Sequence, residues 1–393
     1  MDKKQDIHNY KRRLENTLGK INSSKIISKE NKNTLLEYYQ SLVLEGISIP
    51  KIERYLYDIK RLSEEQKKEL RKLDEKDLKK IVTDLENRDW SASTKQTFKI
   101  GLRKFYKFVE GVPEKGVSPE RLKWMKTTIK KSESKLPEDL INEKEVEKMI
   151  LQTSNIRDKA LIASLYESGC RIGEICSIKI KNVVFDDFGA RIQVTGKTGP
   201  RVVRLVTSSP YLLSWINVHP TGNREDFVWL GRNNKLLCDT RISYLLKACA
   251  KKAGIKKRIH PHGFRHARAT KLASHLTESQ MKSVLGWTQG SDMAAIYVHL
   301  SGRDSEDAIL KMNGIAIKKE EEIIELSPKK CIRCQTSNEV TNKYCKCCGF
   351  VLDKEEAEKI IKAELEKKAV EEFMNKIVQN KEILEMIKKI KLD

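Results

Sequence analysis

The stretch IHPHGFRHARAT, residues 259–270, places three histidines (His260, His262, His266) and two arginines (Arg265, Arg268) within twelve positions. Three chemistries suit such a stretch: a metal site, a polar helix surface, or a clamp for an anion. A catalytic metal site on one helix face usually pairs two histidines four apart with a carboxylate. His262 and His266 are four apart, but no Asp or Glu occurs from 259 to 270, and two guanidinium groups there would repel a cation. A polar surface tolerates Arg265 and Arg268 but gives no reason for His-x-x-Arg at a helix start. An anion clamp does. Free N–H groups and the helix dipole favour an anion at a helix N-terminus, an arginine one turn in adds a planar, permanently charged fork, and histidine donates a hydrogen bond or moves a proton near neutral pH.

Other residues give this weak motif its company. In ESGCRIGEI, Arg171 follows a helix-ending glycine, Gly169, where a side chain can point into a cleft. Lys197 sits at or near the turn of ARIQVTGKTGPRVVRLV, whose alternation reads as a β-hairpin. Downstream, LGWTQGSDMAAIYVHL supplies Trp287 and then Tyr297, on a short helix capped by Ser291 or Asp292. A guanidinium fork at a helix start beside a proton-handling histidine suits a phosphodiester as it becomes pentacoordinate.

The bulk composition agrees. Among 393 residues Lys+Arg outnumber Asp+Glu by 77 to 55, a net charge of +22. Such an excess points to a polyanionic partner, most simply nucleic acid, although a Lys-rich proteome would also raise it. At 39% hydrophobic there is material for real cores, and the length suggests two or three domains. The N-terminal MDKKQDIHNYKRRLENTLGK has no apolar core of the kind a signal peptide needs, and no run of about 18 apolar residues occurs. Nine cysteines in such a chain point to a reducing, cytoplasmic setting.

The elements that must position these residues divide the chain. Residues 1–27 read as a flexible, charged N-terminus. Residues 28–112 read as a helical DNA-binding domain. There Ile52, Leu56, Ile59 and Leu62 repeat at helical spacing after Pro50, and Phe98, Leu102, Phe105 and Val109 form a second stripe. Lys95, Lys99, Arg103 and Lys107 fall on another face of that second helix; a solvated face explains them in isolation, and the net charge turns the reading towards phosphate. Residues 113–138, rich in Gly, Pro, Ser and Lys, read as a linker. Residues 139–315 read as the catalytic domain, helices around a small hairpin, so the fold class is mostly α with a minor sheet (α+β). Residues 353–393 carry Ile361, Leu365, Phe373, Ile377, Leu384 and Ile387 at helical spacing in a segment too polar for a core helix, which reads as an amphipathic helical tail.

Between these lies a cysteine cluster, residues 328–352. Cys331 and Cys334 form one C-x2-C pair and, ten residues on, Cys345 and Cys348 form another, followed by Gly349. Two such knuckles suit a closed tetrahedral thiolate site, with structural zinc in a zinc ribbon. Cys347 is left over as a competitor for the metal.

The order Arg171, Lys197, His262-x-x-Arg265, Trp287, Tyr297, in the contexts SGCRIGEI, GKTG, HGFRHARAT, LGW and IYVHL, resembles the tyrosine recombinase (phage integrase) family over nearly the whole chain. The GWTQGSDMAAIYVHL form and the cysteine tail look most like archaeal integrase-type members. The resemblance implies a helical core-binding domain and a catalytic domain closing on double-stranded DNA, tetramers on paired recombination sites, and a nucleoid-associated protein. Tyr297 would form a 3′-phosphotyrosyl bond, Arg171 and Arg265 would hold the non-bridging oxygens, Lys197 would protonate the leaving oxygen, and His262 would assist proton transfer or hold the phosphate. No cofactor is implied for catalysis. Trp287 departs from the commoner histidine; indole donates a hydrogen bond but cannot move a proton. Glu174 is expected to orient Arg171 or cap its helix, Tyr166, His260 and His266 to be supports, and His299 to be structural. The rivals are a catalytically silent DNA-binding regulator on the same fold, a type IB topoisomerase-like activity, and a zinc-ribbon adaptor that would leave Arg171 and Tyr297 idle.

Overall fold

The computed structural model describes residues 6–112, 117–128, 139–300, 312–313 and 326–379. The chain divides into two compact units, residues 1–134 and 135–393. The division falls inside the segment expected to be a linker.

The first unit is helical. Its helices are α1 (Tyr10–Ser23), α2 (Lys29–Leu44), α3 (Ile49–Glu65), α4 (Glu75–Asn87) and α5 (Ala92–Glu110). Local chemistry sets their ends. Asp74 and Asp77 form a reciprocal capping box at α4, and Ser91 Oγ accepts from Thr94 N at α5. The two apolar stripes read from the sequence meet in one core, where Leu56, Ile59, Leu102 and Phe105 are all fully buried and Phe105 lies edge-on to Tyr38 at 5.1 Å.

Two expectations for this unit need correction. The N-terminus is not loose: α1 packs on α3 and buries Leu14, Ile21 and, just beyond it, Ile27. Its stripe is only one residue wide per turn, and the flanking charges hide it in the sequence. Nor are residues 117–128 a free linker. A short 3₁₀ turn, Glu120–Leu122, inserts Leu122 and Met125 into the helical core at 0% and 3% exposure. Arg121 Nη1 donates to the carbonyls of Arg71 and Leu73 at 2.8 Å each, and Arg103 donates to Met125 O. Two apolar side chains and two guanidinium anchors outweigh the linker-like composition around them.

The second unit is built around α7 (Ile156–Ser168), buried on nearly every face. Preceding it is α6 (Glu143–Leu151), with an Asn142–Glu145 capping box. The short helix α8 (Ile172–Cys176) leads into a three-stranded antiparallel sheet of β1 (Val183–Asp186), β2 (Gly189–Gly196) and β3 (Gly199–Leu205). The anticipated hairpin is β2–β3, and β1 extends it. Gly196 pairs with Gly199, so Lys197 and Thr198 form a two-residue turn. Ala190, Ile192 and Val194 point inward, alternating with exposed Arg191, Gln193 and Thr195. Buried Glu167 on α7 accepts from Val206 N, Thr207 N and both Ser208 N and Oγ, at 2.6–3.0 Å, tying the central helix to the end of the sheet. Then follow α9 (Ser209–Asn217), α10 (Asp239–Lys252), α11 (Pro261–Ala273), α12 (Glu278–Leu285) and α13 (Met293–Leu300).

A two-stranded ribbon, β4 (Lys329–Lys330) with β5 (Ser337–Asn338), carries the cysteine knuckles, and α14 (Lys354–Gln379) runs on from it. Leu365, Phe373 and Val378 on α14 are more than half exposed, as an amphipathic tail requires. Leu384, Ile387 and the side chains of Ile377 and His299 lie outside the described residues. Among the described residues no helix is long and apolar enough to cross a membrane.

Truncation separates an integral segment from a linker. Leu122→Ala should destabilise the first unit by about 2–5 kcal/mol, as for other fully buried leucines. Urea unfolding of the full chain followed by tryptophan fluorescence measures it. A change under ~0.5 kcal/mol, the range of surface positions, would return the segment to linker status.

Candidate active site

Six side chains singled out from the sequence reach one cleft of about 740 Å³ in the second unit: Arg171, Lys197, His262, Arg265, Trp287 and Tyr297. Each arrives from a different local device. Gly169 ends α7 in the left-handed conformation at φ 56°, which reverses the chain so that Arg171 caps α8. Its Nη1 and Nη2 both donate to Gly286 O at 3.1 Å, and Nη1 also meets Glu174 Oε1 at 2.9 Å. Lys197 stands exposed on the hairpin turn, and Thr198 beside it donates to the same Gly286 O at 3.3 Å.

His260 opens α11. Its Nδ1 accepts from Gly263 N at 2.8 Å, and Pro261 takes the first helical position. Phe264 and Tyr166, edge-to-face at 6.3 Å, anchor the helix on α7. This leaves His262, Arg265 and His266 on the cleft side. Arg265 is 3% exposed and donates to Gly169 O at 2.9 Å and Leu285 O at 2.7 Å. Both acceptors are helix-terminal carbonyls, the negative ends of α7 and α12. Burial, then the charge of Arg171, lowers its pKa to about 10, so it stays cationic at neutral pH.

Tyr297 on α13 is 5% exposed. Its ring stacks on Trp287, centroids 5.6 Å apart and planes within 8°, and its hydroxyl is hydrogen-bonded to His266 Nδ1. Burial pushes its pKa up to about 12, with Arg265 opposing. The tyrosine therefore enters any reaction as a phenol. The arrangement is a buried guanidinium, a half-exposed guanidinium and an exposed ammonium around a phenol hydroxyl, a set of groups that suits a phosphodiester.

Residues 139–303 match the family described as the phage integrase family. The tyrosine recombinase XerA of Pyrococcus horikoshii is 27% identical over 286 residues, covering 72% of this chain and 94% of that protein. XerC of Bacillus subtilis is 28% identical over 234 residues, covering 56% and 74%. Over residues 139–303 the chain is similar to the phage integrase family, and over most of its length to tyrosine recombinases. The fold agrees with this likeness. XerH recombinase, in a post-cleavage complex with its palindromic difH substrate, aligns with a TM-score of 0.54 at 19% identity, over 80% of this chain and 98% of that one. A lambda integrase dimer bound to a core site aligns equally well, 0.54 at 16% identity, over 69% and 96%.

Around this cleft lie residues that sequence reasoning missed or underrated. Glu174 was expected to orient Arg171 or cap its helix, and it does both, since Oε2 also accepts Arg171 N at 2.9 Å. Its other partner, Arg201, was missed. Arg201 Nη2 reaches Glu174 Oε2 at 2.7 Å and Nε reaches Val284 O at 2.8 Å. Burial opposes ionisation of Glu174, but the hydrogen bonds from Arg201 and Arg171 hold its carboxyl below the usual range. Nothing in sequence spacing separates Arg201 from the other basic residues of the hairpin; only its inward register does. Gly286, at φ 63°, is required twice over, because a Cβ there would stand 2.6 Å from Arg201 Nη1. His266, read as a support, is hydrogen-bonded to the Tyr297 hydroxyl.

The basic stripe on α5 comes out differently from its reading. Lys95 Nζ donates to Glu86 O at 2.6 Å, Lys99 pairs with the Glu86 carboxylate, and Arg103 is used up on Thr127 and Met125. Lys107 is on the same helix and also has a partner. The structure therefore ties Lys95, Lys99 and Arg103 to partners within the helical unit. A helical wheel cannot tell a cation facing solvent from one facing an acidic neighbour on another helix.

The four cysteines do converge. The sulfurs of Cys331, Cys334, Cys345 and Cys348 lie within 4.8 Å of one another, with Cys331–Cys348 and Cys334–Cys345 at 3.5 Å. Thiolates at ~2.3 Å from a tetrahedral ion sit roughly 3.8 Å apart, so the set fits a metal ion. Buried Asn338 staples the knuckles, donating to Thr336 O at 2.8 Å and accepting from Lys346 N at 2.9 Å. Cys347 is exposed and outside the cluster.

The carboxylate at the centre of the arginines sets a stability prediction. Glu174→Ala leaves Arg201 buried without its counter-ion and should cost about 3–5 kcal/mol, the usual loss on breaking a buried pair. Denaturant unfolding measures it, and a loss below 1 kcal/mol would mean the arginines do not depend on this group.

Proposed function

We propose that the chain is a site-specific DNA recombinase that cuts and rejoins strands of duplex DNA through a 3′-phosphotyrosyl intermediate on Tyr297. The observation that carries this reading is the meeting of the six side chains in one cleft, with the tyrosine held and protonated. Arg171 and Arg265 would bind the non-bridging oxygens and stabilise the charge added as phosphorus becomes pentacoordinate. Tyr297 Oη would form the new bond to phosphorus while the bond to the 5′ oxygen breaks, and Lys197 would hand that oxygen a proton. His262 would hold a phosphate oxygen, and the Trp287 N–H would orient another. The phosphodiester energy stays in the tyrosyl link, so a partner's 5′-hydroxyl can reseal the strand without ATP. A tetramer on paired sites is the assembly we favour; a lambda integrase tetramer bound to a Holliday junction shares the fold, with a TM-score of 0.53.

The cysteine module would hold one structural zinc through Cys331, Cys334, Cys345 and Cys348. Where all four positions are thiolates, the ion has no open site for substrate and supplies folding energy to the ribbon. The ribbon abuts the catalytic unit through Tyr211 and Thr341, whose hydroxyls lie 3.4 Å apart.

Two experiments test this. With nicked duplex DNA that the protein shifts on a native gel, and without magnesium, the wild type should give an SDS-resistant protein–DNA adduct that Tyr297→Phe abolishes. A shift with no adduct would instead indicate a silent DNA-binding protein. Elemental analysis should find about one zinc per chain, and Cys331→Ser with Cys345→Ser should remove it. Zinc-free protein with an unchanged melting curve would sink the metal assignment.

A further inference from the structure

The tyrosine must lose a proton as it attacks, and its own environment does not take it. Burial keeps Tyr297 a phenol well above neutral pH. Among the described residues lining the cleft there is no carboxylate. The charged groups facing the tyrosine are cations: Arg265 from α11, Arg171 from the start of α8, and Lys197 from the hairpin turn. The remaining titratable neighbours are His262 and His266, one turn apart on α11 with ring centroids 4.4 Å apart. His266 is hydrogen-bonded to the Tyr297 hydroxyl through Nδ1. In the tautomer that carries its hydrogen on Nε2, His266 Nδ1 is the acceptor of the Tyr297 O–H.

We propose that His266 is the general base of the cleavage step. Its Nδ1 takes the Tyr297 proton as Oη bonds to phosphorus, and returns it when the strand is resealed. The step balances: the Oη–H bond breaks and a proton goes to Nδ1, the Oη–P bond forms, the P–O5′ bond breaks, and O5′ takes a proton from Lys197. After cleavage His266 is an imidazolium and Lys197 a neutral amine; the reverse reaction restores both. His262, pressed edge-on against the His266 ring, limits the rotation of that ring and is a positioning residue for it. The flat stack on Trp287 fixes the phenol in the plane where Oη meets Nδ1. This inference rests on the recombinase reading of the cleft and adds the proton's destination.

The test is single-turnover cleavage of a nicked duplex that the wild type shifts, comparing wild type, His266→Ala and His266→Asn across pH 5.5–9. Melting curves and native gel shifts of each variant establish that it folds and binds. His266→Ala should cleave on the order of 10²–10⁴-fold more slowly, the usual share of general base catalysis. It should lose the wild type's pH dependence on the acid side and be partly rescued by added imidazole. His266→Asn keeps a hydrogen-bond acceptor but no basic nitrogen, and should be equally slow. A substrate with sulfur at the bridging 5′ position needs no proton on its leaving group, and the defect should persist with it.

Cleavage by folded His266→Ala within threefold of wild type overturns the proposal, as does full activity of His266→Asn. Complete recovery on the sulfur substrate also overturns it, because His266 would then act on the leaving group. A wild type that binds this DNA and forms no adduct overturns the recombinase reading, and the base assignment with it.

Discussion

The fold of the catalytic unit turns on one electrostatic constraint: three guanidinium groups, Arg171, Arg201 and Arg265, must share a small, partly dry volume. Like charges at that range repel, and burial makes each more costly. The chain answers with one buried carboxylate, Glu174, and with carbonyl oxygens at the ends of helices. Glu174 engages Arg171 and Arg201, while Arg265 leans on Gly169 O and Leu285 O. The left-handed glycines 169 and 286, the short helix α8, and the inward register of β3 are all needed to bring these acceptors to the arginines. These contacts join α7, α8, α12 and the hairpin, alongside the Glu167 bonds from α7 to the end of the sheet.

Tyr297 is held on a different basis. It sits in an apolar cluster with Ala269, Ala273, Met281 and Leu285, all fully buried, and its ring is flat against Trp287. Packing gives it position, and burial favours its neutral form. The cleft thus combines a cationic wall with a neutral phenol. At position 287 the indole supplies the flat surface of that stack.

Much of this was legible from the sequence, and the misses have a common cause. The six cleft residues, the helix end at Gly169, the hairpin and both cysteine knuckles are picked out by spacing and local chemistry, and the structure brings the six side chains to one cleft. What failed was inference about the far side of a contact. The row Lys95, Lys99, Arg103 reads as a phosphate face because Glu86 and the 125–127 segment belong to other elements. Helix α1 reads as loose because its buried face is narrow. His266 reads as a support because its partner is 31 residues away. Arg201 carries no local signal at all, since its role exists only once β3 is in register beside α8.

Arg265 shows what the carbonyl acceptors demand. A guanidinium offers five N–H directions in one rigid plane, and here at least two of them are already committed to fixed backbone oxygens on either side. What reaches the cleft is therefore a cation whose orientation is set before any ligand arrives. A lysine would bring the same charge on a swivelling stem, with three hydrogens to divide between two carbonyls and a phosphate. At this position the protein selects for shape between two cations of equal charge, so the rule that basic residues interchange freely on a DNA-binding protein stops at the cleft wall.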